Sequence, residues 1–264
     1  MKRKNIIIIT GASSGMGAEF ARQMDPFFSG IDEFWLIARS KDKLQMLSVT
    51  LRHRTRLIAE DMTADTFYHT ITEMLLLEKP CIRILINCAG YGLMGPFYKE
   101  ASENSNLEGQ LGMIRLNCEL LTMMTHLCLP YMAAGSRIIQ LASSAAFLPQ
   151  PDFAVYAATK AYVHSFSRAI REELKEKNIY VTSVCPGPVD TPFFTIAEQF
   201  GKTLAIKKFT MVQPKEVVKL ALKDSYHRKP VSVCSLPIKA MRIASALLPD
   251  TLILSGMKIL KKME

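Results

Sequence analysis

Asn5-Ile6-Ile7-Ile8-Ile9-Thr10-Gly11-Ala12-Ser13-Ser14-Gly15-Met16-Gly17 is the stretch on which the fold turns. Its first half is a β-branched run, which suits a buried strand. Its second half is a glycine-rich turn that opens into the helical pattern beginning near Ala18. In a strand–turn–helix unit the free amides at the helix N-terminus can receive a pyrophosphate. Gly11 permits the tight turn, Gly15 lets the backbone approach the ligand, and Gly17 lets helix and sheet pack closely. Ser13, Ser14 and Met16 complete the loop. Glycine turns are common, but glycines at the first strand-to-helix junction are a much narrower signal.

The same alternation continues along the chain. Strands are expected at Asn5–Ile9, Glu33–Ala38, Thr55–Ala59, Ile82–Asn87, Arg137–Leu141, Tyr180–Val184 and Val231–Cys234. Helical stretches fall near 14–24, 40–50, 63–78, 111–134, 153–177 and 213–226. Continuous Ile/Val/Leu strands separated by helices predict an α/β fold, a doubly wound parallel sheet of about seven strands with helices on both faces. Ligands of such sheets bind beyond the carboxyl ends of the strands. No repeat or linker interrupts residues 1–264, so one dinucleotide-binding and catalytic domain is expected.

Composition narrows the class. The chain is 49% apolar and 22% charged, which is globular rather than disordered. No run reaches the roughly 20 apolar residues of a spanning helix. The opening Met1-Lys2-Arg3-Lys4 leads into a run too short for an export signal and reads as a strand with a basic lead-in. The six cysteines are scattered without a Cys-x-x-Cys pair, and the five histidines form no His-Glu-x-x-His. Metal and disulfide frameworks are therefore not expected, and a reducing cytoplasm is. A net charge of +9 favours anionic partners. No nucleic-acid motif accompanies it.

Two further places carry chemistry. The second strand ends Leu36-Ile37-Ala38-Arg39, with Ala38 where a carboxylate would hold a ribose 2′-hydroxyl. Arg39 would instead bind a 2′-phosphate through charge-assisted hydrogen bonds, which points to NADP(H) rather than NAD. Tyr156 and Lys160 stand one helical turn apart on one face. An ammonium near a phenol, joined by a nicotinamide cation, would bring the phenol toward a working pKa. Ser143 follows the Arg137–Leu141 strand, where its hydroxyl could hydrogen-bond a substrate oxygen. No Gly-x-Ser-x-Gly elbow surrounds it, which argues against a serine hydrolase.

Taken in order, Thr10–Gly17, Asn87-Cys88-Ala89-Gly90, Asn117, Ser143, Tyr156–Lys160 and Pro186-Gly187-Pro188-Val189-Asp190-Thr191 resemble the motif set of the short-chain dehydrogenase/reductase family. The resemblance covers roughly residues 5–235 and is nearest the NADP-preferring branch related to long-chain 3-oxoacyl reductases. It implies a catalytic tetrad of Asn117, Ser143, Tyr156 and Lys160. Tyr156 would pass the proton, Lys160 would lower its pKa and hold the nicotinamide ribose, Ser143 would orient the carbonyl, and Asn117 would position a relay water. It also implies adenine-edge contacts from Asp61 and Met62, and an adenosine wall from Asn87, Ala89 and Gly90. Pro186, Gly187, Val189 and Thr191 would hold the nicotinamide carboxamide and the phosphate. Cys88 departs from the family's usual second asparagine; an inert buried thiol is expected there.

The resemblance implies hydride transfer between NADP(H) and a carbonyl or secondary alcohol. Phe147, Leu148, Phe153, Phe193, Phe194 and Ile196 suggest an apolar pocket and a hydrophobic substrate, a 3-oxoacyl thioester, a steroid or similar. Residues 190–212 read as a substrate lid. The Leu- and Met-rich segment 111–134 and segment 153–177 suggest a homodimer or homotetramer. The apolar and basic tail 236–264 suggests weak contact with a membrane surface, or a clamp on the cleft or on a partner subunit. The alternatives are a cofactor-binding regulator without turnover and a peripheral membrane binder.

Overall fold

The computed structural model describes residues 3–98, 106–199, 201 and 211–262. Seven parallel strands form one sheet in the order β3-β2-β1-β4-β5-β6-β7. They are β1 (Asn5–Thr10), β2 (Glu33–Ile37), β3 (Arg54–Ile58), β4 (Cys81–Asn87), β5 (Met132–Leu141), β6 (Tyr180–Val184) and β7 (Val231–Ser232). The order reverses between β1 and β4, and a crevice opens at such a switch point.

Period-two alternation sorts the strand side chains onto two covered faces. Ile7, Ile9, Phe34, Leu36, Ile84, Ile86 and Ile139 pack with Phe20 and Met24 of α1 (Gly15–Met24) and Val217 and Val218 of α8 (Pro214–Tyr226). Their neighbours Ile6, Ile8, Trp35, Ile37, Leu85 and Ile138 face the other way. These meet Phe67 and Ile71 of α3 (Asp65–Glu78), Met124 of α5 (Leu120–Cys128) and Ile170 of α6 (Ala154–Glu173). With α2 (Lys41–Ser48) and α4 (Leu107–Ile114), these helices complete the doubly wound α/β architecture.

Register aligns the chemistry. Thr10 pairs with Ile37 and Asn87, Asn87 with Gln140, and Leu141 with Val184, so the carboxyl ends of β1, β2, β4, β5 and β6 finish together. The loops that follow carry the glycine turn, Arg39, Ala89, Ser143 and Pro186 to one edge.

The expected helix over 111–134 needs correction. Two α-helical pieces, α4 and α5, flank a π-helical turn at Arg115–Glu119, and a 3-10 turn at Leu129–Tyr131 ends the run. Pro130 cannot donate to a continuing helix, and the chain enters β5 at Met132, earlier than the apolar Arg137–Leu141 run suggests. Of the expected lid, residues 200 and 202–210 lie outside the described residues. Its first part forms the short helix α7 (Phe193–Ala197). The tail forms α9 (Leu236–Leu247) and α10 (Asp250–Lys262).

Candidate active site

The glycine turn is built as a cradle. Gly11 has φ +66°, and a Cβ there would lie 2.8 Å from the Ala89 backbone nitrogen. Thr10 Oγ1 accepts hydrogen bonds from the amides of Cys88 and Ala89, both at 3.1 Å, which locks the turn to the end of β4. A Cβ on Gly17 would run into the Gly11 carbonyl oxygen. Ser14 caps α1 in extended conformation without a side-chain hydrogen bond, so the first-turn amides keep their affinity for an anion. Gly17→Ala should therefore cost about 1–3 kcal/mol of stability through overpacking and weaken binding of any dinucleotide in the cradle more than an exposed-loop substitution would. Thermal melting and cofactor titration would read both, and an unshifted melting curve with wild-type affinity would refute this close packing.

Beyond β2, Arg39 projects into solvent with Nη1 3.9 Å from Asp61 Oδ2. Asp61 also accepts from Thr63, 2.9 Å from the amide and 2.7 Å from the hydroxyl. Burial opposes its ionisation, but the Thr63 hydrogen bonds and the Arg39 and Arg115 charges outweigh that and hold the carboxyl below the usual range. Met62 differs from its neighbour: its side chain is buried with Trp35, Ile58 and Phe67, so only its backbone can face the cleft. Asn87 is turned inward as well. Its amide donates to Thr125 Oγ1 and Gln140 Oε1, each at 3.0 Å, and Gln140 Nε2 donates to the same threonine at 3.0 Å. This buried trio ties β4, β5 and α5 together below the crevice.

Asn117 sits in the π turn with no exposed surface. π turns of this kind recur at functional sites. Its Oδ1 accepts from the Tyr91 amide at 3.1 Å, while Nδ2 donates to the Tyr91 carbonyl at 2.9 Å and to Thr159 Oγ1 at 3.1 Å. Both amide hydrogens are thus engaged, so the side chain clamps the 90–91 loop to α6 instead of offering a donor to water. Thr159 in turn donates to the Tyr156 carbonyl at 2.7 Å. Tyr91 and Thr159 are the clamp's partners that the sequence did not single out. Thr159 gave a faint sign, a polar residue immediately before Lys160 on an otherwise buried face.

Lys160 Nζ donates to the Leu141 carbonyl at 2.7 Å and lies 5.7 Å from the centroid of the Tyr156 ring. Burial pushes its pKa down to about 8. Tyr156 is stacked on Phe153 (4.2 Å between centroids, 18° between planes), with Phe193 tilted against it at 5.4 Å. Burial pushes the phenol up to about 12, opposed in part by a hydrogen bond with the Ser143 side chain. Of these two effects burial is the larger. Ser143 starts a 3-10 turn and accepts from the Ala145 amide at 3.1 Å.

The Pro186–Thr191 segment folds back over this centre. The Ser144 amide donates to the Pro186 carbonyl at 2.8 Å, and the Thr191 methyl is 3.4 Å from where a Gly15 Cβ would stand. Val189 is buried and bridges to Val212. Phe153, Phe193 and Phe194 gather around Tyr156 with Leu93, Met94 and Met113. Phe147 joins a neighbouring cluster instead. Ile196 is exposed. Burial pushes the Cys88 thiol up to about 12, which makes it an inert neighbour. Among the described residues no group of three or more His, Cys, Asp or Glu could hold a metal ion, and no helix is long and apolar enough to cross a membrane.

Comparison with known proteins bears on the family and the fold. Residues 5–200 match the family described as short chain dehydrogenase. An uncharacterized oxidoreductase of Staphylococcus epidermidis is 29% identical over 202 residues, 76% of this chain and 84% of the relative. The very-long-chain 3-oxoacyl-CoA reductase of Rattus norvegicus is 33% identical over 226 residues, 82% of this chain and 67% of the relative. A short-chain dehydrogenase from Sphingobium yanoikuyae, solved in complex with NADPH, superposes with TM-score 0.76 at 27% identity, covering 96% of this chain and 95% of the other.

Proposed function

Because the chain belongs to the short-chain dehydrogenase family, we propose that it reduces a hydrophobic ketone with NADPH, or oxidises the matching alcohol, with Tyr156 as proton donor. The observation that carries this reading is a buried phenol in an aromatic enclosure. It is hydrogen-bonded to Ser143, roofed by Phe153 and Phe193, and has an ammonium beside its ring. A phenol kept protonated is ready to give its proton to a developing alkoxide, which favours the reductive direction at neutral pH. Ser143, Tyr156 and Lys160 would act on substrate or cofactor. Asn117 is a positioning residue.

The residues present fit a dinucleotide. The cradle that a Cβ would fill at Gly11 and Gly17 and the uncapped N-terminus of α1 suit a pyrophosphate. When bound, the nicotinamide supplies or accepts the hydride. Ser13 to Gly17 would hold the phosphates, Asp61 and the backbone of Met62 the adenine edge, and Ala89 and Gly90 the adenosine wall. Lys160 would hold the ribose, and Pro186, Gly187, Val189 and Thr191 the carboxamide side.

NADP preference rests on Arg39, which is exposed beyond β2 with no carboxylate at Ala38. Arg39→Ala should raise KM for NADPH about 10–100-fold, the worth of a charge-assisted hydrogen bond, and leave KM for NADH nearly unchanged. An unaltered NADPH/NADH ratio would remove Arg39 from the phosphate site. The aromatic cluster around Tyr156, together with the 3-oxoacyl-CoA reductase among the relatives, supports a lipophilic carbonyl substrate. Exposed Leu107, Leu111 and Ile114 on α4 and Tyr162 on α6 support self-association into a dimer or tetramer. Six free cysteines suit a cytoplasmic setting. A panel of hydrophobic ketones with NADPH and NADH, followed by nicotinamide absorbance, tests the activity; no turnover of any of them would count against it.

A further inference from the structure

α9 has two apolar faces, and the body of the protein covers only one. On the inner face Ile238 lies 3.0 Å from where a Gly187 Cβ would stand and joins the cluster of Leu121, Val163 and Val233. Arg242 reaches over the Phe147 ring at 5.7 Å. Both contacts border the cleft, since Gly187 lies in the segment folded over it and Phe147 ends the 3-10 turn begun at Ser143. On the outer face, which none of the described residues of the body covers, Leu236, Ala240, Ile243 and Leu247 recur at helical spacing and form one stripe. Leu236 is 79% exposed, Ile243 63% and Leu247 77%; Leu252, on the next helix, is 60% exposed. Scattered exposed leucines are normal, whereas an aligned stripe of them marks an interaction surface.

Charge identifies what covers it. Apart from Arg242 on the inner face, residues 236–264 carry Lys239, Lys258, Lys261 and Lys262 against Asp250 and Glu264. A second copy of the chain, packed symmetrically on this stripe, would bring the same positive charges together. An anionic lipid surface satisfies both halves of the pattern, apolar side chains entering the acyl boundary and cations meeting headgroups. We propose that the outer face of α9, with the basic tail that follows it, docks this protein on an anionic bilayer and holds the rim of the cleft beside the lipid. For the hydride-transfer reading on which this consequence rests, a lipophilic carbonyl would then reach the cleft from the bilayer.

Co-sedimentation of the full chain with phosphatidylcholine vesicles, with and without phosphatidylglycerol, tests the docking without any substrate. The wild type should sediment with the phosphatidylglycerol vesicles, less so with phosphatidylcholine alone, and less at high salt. Ile243→Asn combined with Leu247→Asn, both at exposed positions, should lower partitioning about tenfold or more while melting and NADPH binding stay as in wild type. Wild-type sedimentation by the double variant would overturn the proposal, as would failure of the wild type to bind. A wild-type oligomer that dissociates in the double variant without lipid would also overturn it and assign the stripe to a second copy. Loss of docking with turnover of a water-soluble ketone intact would support it, and absence of turnover with docking intact would touch only the catalytic reading.

Discussion

Tyr156→Phe is expected to lower kcat for ketone reduction by about a thousandfold, the middle of the range for a positioned proton donor. The substitution removes one oxygen and leaves the ring in place. Phe153 would still stack on it and Phe193 would still tilt against it, because both contacts are made by the ring face. The hydroxyl's bond with Ser143 is the one interaction lost, worth about 1 kcal/mol of stability. NADPH affinity and the melting temperature should therefore change little while the rate collapses. A variant that retained a rate within about tenfold of wild type would show that protons reach the alkoxide by another route.

The second large effect is expected at Lys160. Lys160→Met keeps length and apolar stem but removes the ammonium that lies beside Tyr156 and donates to the Leu141 carbonyl. A loss of about a hundredfold or more in kcat/KM is expected, since an electrostatic stabiliser inside a dry site is lost. The pH profile carries the sharper signature. Burial lowers the ammonium's pKa to about 8 from the free value of 10.5, so the charge disappears as pH rises through about 8. Wild-type reduction should fall along that limb, and the Met variant's residual rate should not. The stability sign is the reverse of a stabilising ion pair. Between those two values the unfolded chain binds more protons than the folded one, so holding the ammonium charged costs stability below about 8, and the cost fades as pH rises. The Met variant should accordingly melt no lower than wild type at neutral pH. An alkaline limb that persisted in the variant would belong to a different group.

The fold was legible because its strands are self-declaring. Ile6–Ile9, Phe34–Ile37 and Ile84–Ile86 are apolar enough to be buried on both faces, which fits a covered parallel sheet. β5 was misjudged at its start because Met132, Ala133 and Ala134 have ordinary helix propensity, and only Pro130 hinted at the break. The π turn at Asn117 was invisible, since a single extra residue in a helix leaves no mark on periodicity over so short a span. Tyr156, Ser143 and Lys160 were readable from type and spacing. The partners that fix them were not. Thr159, Tyr91 and the Leu141 carbonyl act through packing and backbone geometry that spacing does not encode. Nor does the sequence show the aromatic enclosure of Tyr156, whose burial pushes the phenol up to about 12 in the chain alone. The hydrogen bonds of Asn87 to Gln140 and Thr125, distant in sequence, are likewise invisible to spacing.

A crystal structure of the complex with NADP and a lipophilic alcohol is the most direct measurement of the central claim. The account predicts the reacting carbon of the nicotinamide and the substrate oxygen on the same side as the hydroxyls of Tyr156 and Ser143, with the 2′-phosphate at Arg39. A nicotinamide bound away from Tyr156, or a substrate oxygen out of hydrogen-bonding reach of its hydroxyl, would contradict it.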